Sequence, residues 1–194
     1  MTTKGANTER LGAFSDGVIA IIITIMVLEM KVPRDASMAA LLGMWPSFFS
    51  YALSYLFIGI VWVNHHHLLR YTENADTLVI WSNLGFLFFV SLIPFFTIYM
   101  TANRMNSFAT AVYAANFLLV TIAFYFFQLA IAKQLREGSK SKTVIEGATW
   151  KNWIGMLFYA LAIPSAYLHP YISPALIFGV ALLYFVPETG KQRG

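Results

Sequence analysis

The sequence predicts an all-α membrane protein: six transmembrane helices in one domain spanning residues 1–194. Three observations carry that prediction. The composition is too apolar for a small soluble fold, long apolar runs recur along the chain, and basic residues are unevenly shared among the segments between them.

Hydrophobic residues make up 58% of the chain and charged residues 11%, where soluble domains carry roughly a quarter charged. A fold of this size has too much surface to hide that much apolar side chain from water, and lipid removes the problem. Cysteine is absent, which excludes a disulfide framework and a thiolate metal site. The net charge of +4 is spread over loops and termini, a pattern of membrane topology and not of nucleic-acid binding.

The apolar runs cover approximately 11–31, 45–69, 78–101, 108–132, 152–168 and 170–187. Most approach the ~20 residues that cross a bilayer core. The first follows Lys4 and Arg10 but is too long for a signal-peptide core and has no small-residue cleavage site after it. The last two are separated by little more than His169-Pro170 and are expected to form a tight hairpin. The stretch 133–151, with its run Arg136-Glu137-Gly138-Ser139-Lys140-Ser141-Lys142, reads as the largest loop, solvated and cytoplasmic.

With the N-terminus inside, the inner segments hold Lys4, Arg10, Arg70, Lys133, Arg136, Lys140, Lys142, Lys151, Lys191 and Arg193. The outer ones hold Lys31, Arg34 and Arg104. This follows the positive-inside rule, and an odd number of spans would put Lys191 and Arg193 on the wrong side. Six spans with both termini cytoplasmic is the predicted topology.

The first helix carries the unusual chemistry. Asp16 lies several residues into a membrane helix, beside Ser15, with Arg10 as a nearby counter-ion. A carboxylate there is expensive in hydrocarbon and is expected to face protein or water. At about 100° per residue, Ile21, Ile25 and Leu28 share a stripe with Thr24 and Gly17 at its edges. Asp16 lies more than about 120° from Ile21 on that wheel. One face is therefore expected to meet neighbouring helices, and the other lipid or a central axis. The residues alone leave that choice open.

Arg10 and Phe14-Ser15-Asp16-Gly17 in an opening helix, Trp62-Val63-Asn64-His65 in the second, and Asn83 with Pro94-Phe95 in the third together resemble the transmembrane protein 175 family. The resemblance covers roughly the first half of the chain and is topological thereafter. It implies a potassium channel of lysosomes or, in shorter relatives, of prokaryotic cells, built as a tetramer of six-helix subunits. It implies that the first helices line the pore, with Ile21 as the narrowest ring, Ile25 and Leu28 as further apolar rings, and Thr24 as the hydroxyl linked to selectivity. Arg10, Phe14, Ser15, Asp16, Trp62, His65 and Asn83 would brace the pore helix. The partners implied are potassium ions (or other monovalent cations and protons), the lipid bilayer and further copies of the chain. The expected location is a prokaryotic cell membrane, with no cofactor, metal or nucleic acid.

The run His65-His66-His67 invites a metal reading. Adjacent residues on a helix point about 100° apart, so the three cannot ligate one ion together, and zinc wants four convergent ligands. Trp62, His65 and His66 fall on one side of the second helix, with Gly59 expected to allow close approach. His65, Asn83 and Trp62 are expected to hydrogen-bond Ser15 and Asp16. Pro94 is expected to kink the third span, and Pro164 and Pro174 the fifth and sixth. Glu29 and Lys31 end the first span at the outer mouth.

The competing reading is a proton- or ion-coupled transporter that uses Asp16 and His65 as a relay. Transporters place polar sites at broken helices near the midplane, whereas Thr24 is the only polar residue between Gly17 and Glu29. An enzyme is disfavoured, because no nucleophile–base pair or convergent ligand set is visible.

Overall fold

The computed structural model describes residues 6–72, 74–136, 138–169 and 171–185. Lys4, Glu137, Pro170, Lys191, Arg193 and the end of the last predicted span lie outside them. The elements are α1 (Ala6–Leu28), α2 (Met38–Gly43), α3 (Trp45–Leu69), α4 (Thr77–Ser91), α5 (Ile93–Ala102), α6 (Ser107–Ala132), α7 (Lys140–Ser165) and α8 (Ile172–Phe185).

Short polar side chains start four of these helices. Ser37, Asp76, Asn106 and Ser139 each accept the backbone N–H three residues on, opening α2, α4, α6 and α7. Each cap satisfies a donor that has no intrahelical partner. Asp76 sits in the exposed turn before α4. Its carboxyl is held below the ordinary carboxylate value, first by the Val79 N–H and then by the Gln134 side chain.

Among the described residues, four helical stretches are long and apolar enough to cross a membrane: Asn7–Leu28, Trp45–Leu69, Thr77–Ala102 and Ser107–Ala132. A shorter apolar helix covers Ile172–Tyr184. With the family relationship reported below, these make the chain an integral membrane protein. The third stretch is broken where Leu92 separates α4 from α5, and Pro94 occupies the first turn of α5. Proline is tolerated at a helix start because its missing N–H had no partner there. Pro94 thus opens a new helix in place of kinking an unbroken one.

α7 corrects the reading of 133–151 as a loop. The helix begins at Lys140, capped by Ser139, and its first turns dock on α6 through the buried Ile145. The Gln128 amide of α6 donates to the Ile145 carbonyl at 2.7 Å and to Thr149 Oγ1 at 3.1 Å, and Asn152 donates to Gln128 Oε1. Lys140, Lys142 and Lys151 ride on a helix because this buried amide set holds it.

α6 is the central element, packed on α4, α5, α7 and α8. A hydroxyl chain ties three helices together across the core. Thr97 donates to the Ile93 carbonyl, so Ser54 donates to Thr97 at 2.8 Å and accepts from the Tyr113 phenol at 2.9 Å. The buried aromatics Phe57, Phe117 and Tyr159 pack against one another in tilted and edge-on pairs. α1 lies at the margin, packed on α3, α4 and α5.

Candidate functional site

Two seams run along α1, both at spacings of three and four, which alternate strictly only in the exposed one. Thr8, Leu11, Ser15, Ile19, Ile22 and Met26 are buried against the rest of the chain. Arg10, Phe14, Gly17, Ile21, Thr24 and Leu28 are all exposed. Ile21 is 59% exposed and Leu28 79%, and a methyl group placed on Gly17 would meet nothing within 4 Å. Ile25, 41% exposed, borders the same face. Beside it a groove of about 730 Å³ opens toward α5, with Ile21 and Ile25 facing Pro94, Phe95 and Ile98.

The buried seam is anchored by a polar relay inside the bundle. Ser15 donates to the Leu11 carbonyl at 2.8 Å and accepts from the Asn83 amide at 3.0 Å. Asn83 Oδ1 lies 2.8 Å from His65 Nε2, which requires that nitrogen to carry the proton. Ser15, His65 and Asn83 are completely buried. The imidazole packs against Phe86 and Phe127, with ring centroids 5.6 and 5.2 Å away and the two phenyl centroids 6.3 Å apart. Three helices are thus joined by bonds whose donors and acceptors match, while His65 Nδ1 is buried with no hydrogen-bond partner.

A second tie lies on the flank of α1. The Trp62 indole donates to the Asp16 carboxylate at 2.8 Å. Asp16 is exposed at the bundle surface, and the hydrogen bond fixes which way it points. The structure therefore joins Ser15, Asp16, Trp62, His65 and Asn83. His65 reaches Ser15 only through Asn83.

Arg10 and Phe14 stand apart from this network. Both lie on the exposed seam, and Phe14 is 53% exposed. Arg10 precedes Asp16 by six residues, a turn of roughly 240° on the wheel, so the two side chains diverge. Gly59 permits no close approach, because nothing lies within 4 Å of a side chain built there. His66 and His67 are exposed while His65 points inward. No group of three or more potential metal ligands converges among the described residues.

Thr24 donates its hydroxyl proton to the Ile21 carbonyl at 2.9 Å. On this exposed residue the oxygen thus has only lone pairs left to offer, the acceptor state a cation needs.

Residues 10–94 match the family model described as endosomal/lysosomal potassium channel TMEM175. A protein of Chryseobacterium sp. named a potassium channel is 38% identical over 191 residues, covering 98% of this chain and 97% of its own. The chain belongs to the TMEM175 family. A second relative named a potassium channel, from Chamaesiphon minutus, is 29% identical over 92% of this chain and 94% of its own. The crystal structure of a Chamaesiphon minutus TMEM175 homolog, titled a lysosomal potassium-selective channel homolog, superposes with a TM-score of 0.83. It is 28% identical and covers 93% of this chain and 97% of that one.

For a TMEM175 family member, the informative sequence signal was finer than the motif. The spacing 10, 14, 17, 21, 24, 28 marks a whole exposed seam, longer than the stripe Ile21–Ile25–Leu28 with Thr24 and Gly17 at its edges. The polar set Gln128–Thr149–Asn152 was also missed, because Thr149 and the Ile145 carbonyl fell in a stretch whose charges suggested a loop.

Proposed function

We propose that this chain is a potassium channel whose pore is lined by the exposed seam of α1, with four copies arranged around a central axis. The observation that carries the reading is the two-sidedness of α1. One seam is locked into the bundle through Ser15, Asn83 and His65, while the other leaves Ile21, Thr24 and Leu28 exposed, with Ile21 at the edge of the groove toward α5. Seams at three-four spacing are the packing geometry of helices around a common axis. The likeness to proteins named potassium channels gives the seam its substrate.

In this reading the two segments α7 and α8 complete a six-helix subunit with both termini on the cytoplasmic side of a prokaryotic cell membrane. That orientation follows the excess of Lys and Arg in the inner segments. A ring of four Ile21 side chains forms the narrowest point. Such a ring excludes water and blocks conduction by dewetting until the helices move apart.

An ion passing the ring sheds part of its hydration with little replacement from the wall. Potassium holds its water less tightly than sodium and loses less. The lone pairs of Thr24 partly replace that water, giving modest selectivity. Asp16 and Trp62, on the flank, hold the orientation of α1 and do not contact the ion. The test is flux through purified protein in liposomes under potassium and sodium gradients. Potassium flux that exceeds sodium flux, needs no second ion and does not saturate supports the channel. Flux that runs only with a proton gradient supports a coupled transporter.

A further inference from the structure

A groove of about 460 Å³ runs along α3 on the side away from the Ile21 seam. Its floor is Gly59, flanked by Tyr55, Leu56, Ile60 and Val63, with Ile23 of α1 on one wall. A side chain added at Gly59 would meet nothing within 4 Å, so the floor is open. At one end the character changes. Asn64, Lys151 and Tyr184 close the groove there, with the Lys151 ammonium 6.0 Å from the Tyr184 ring centre and 5.9 Å from that of Trp150.

Dimensions and polarity suit one occupant. From Tyr55 to Asn64 a helix rises about 14 Å, close to half of a ~30 Å hydrocarbon core. The cationic end lies among Trp62, Trp150 and Trp153, all more than 40% exposed. Exposed tryptophans of this kind sit at the level of lipid headgroups. The groove thus has the length of one leaflet, apolar walls along that length, and an ammonium at headgroup depth. The topology proposed above, on which this orientation rests, puts that end on the cytoplasmic side, where anionic lipids attract basic side chains.

We propose that this groove holds an anionic phospholipid, with an acyl chain over Gly59 and the headgroup phosphate at Lys151 and Asn64. Asn64 lines the same end of the groove, its amide donating to the Ile60 carbonyl at 2.9 Å.

The experiment is native mass spectrometry of the full-length protein. It is taken from bilayers of phosphatidylcholine mixed with phosphatidylglycerol and then washed in detergent. Wild type is expected to retain phosphatidylglycerol selectively. Lys151→Gln is expected to lower retention about fivefold, the equivalent of the ~1 kcal/mol a basic side chain contributes at an anionic surface. Lys151→Arg is expected to keep it. Gly59→Leu fills the floor where there is room for a side chain and is expected to abolish retention of both lipids. Equal retention in wild type, Lys151→Gln and Gly59→Leu overturns the site. A change of oligomeric mass in Gly59→Leu also overturns it, by giving the groove to a second copy of the chain. The readout is bound lipid, so it stands or falls separately from ion flux.

Discussion

The Trp62 indole N–H meets the Asp16 carboxylate at 2.8 Å, joining α3 to the flank of α1. The bond gives a charged group inside an apolar helix a defined partner and direction. Together with the Ser15–Asn83 bond at 3.0 Å, it leaves α1 little freedom to rotate about its axis. The face that carries Ile21 is set by these two ties.

Trp62→Phe keeps the ring and removes the donor. The expected loss of stability is about 1 kcal/mol, at the low end for a bond to a charged group because the pair is exposed. Thermal unfolding in detergent, followed by loss of monodisperse protein, measures it. Asp16→Asn retains an acceptor and is expected to fall between wild type and Trp62→Phe.

Asn83→Ala is expected to cost more, about 2–3 kcal/mol. It leaves the His65 N–H without an acceptor in a site that water does not reach, while the Ser15 hydroxyl keeps its bond to the Leu11 carbonyl. Ser15→Ala alone is expected to cost about 1 kcal/mol, since its second bond is to its own helix. A double-mutant cycle on Ser15 and Asn83 should give a coupling energy of at least about 0.5 kcal/mol, whereas additive losses would show that the bond does not hold α1.

The sequence showed most of this anchor because its chemistry is rare. A carboxylate and a serine within an apolar run demand partners, and Trp62, His65 and Asn83 were the polar candidates in the next two spans. Arg10 and Phe14 were grouped with them by motif, and the helical turn separates them. α7 was hard to read for the opposite reason. Lys140, Lys142 and Glu146 resemble a solvated loop in any local window. What makes the segment helical is a long-range amide set centred on Gln128. Gly59 likewise gave no sign that it floors an open groove and does not pack against another helix.

Asp76 supplies a pH test outside the membrane spans. Its folded carboxyl titrates below the ordinary value of 3.8, chiefly through the Val79 N–H. Its capping contribution is therefore complete above that value and is lost as pH falls through the depressed one. Asp76→Asn keeps the cap, since the two residues cap equally well. It is expected to match wild type at neutral pH and to lose less stability on acidification. An identical acid response in both proteins would remove Asp76 from the account.

Thr24→Val preserves shape and removes the hydroxyl oxygen. The expected result is a potassium-to-sodium ratio lowered by up to about fivefold, the size of one net hydrogen bond of ~1 kcal/mol, with conduction retained. Reversal potentials under mixed gradients measure it.

In the proposed channel the α1 seam is the pore wall and Ile21 its narrowest ring. The most direct measurement is potassium and sodium flux through liposomes holding wild type or Ile21→Asn at equal protein density. An amide in place of the apolar chain wets the ring, so the account predicts higher flux and weaker discrimination in the mutant. Flux and selectivity unchanged from wild type, in a protein that assembles normally, would contradict it and return the Ile21 face to the lipid.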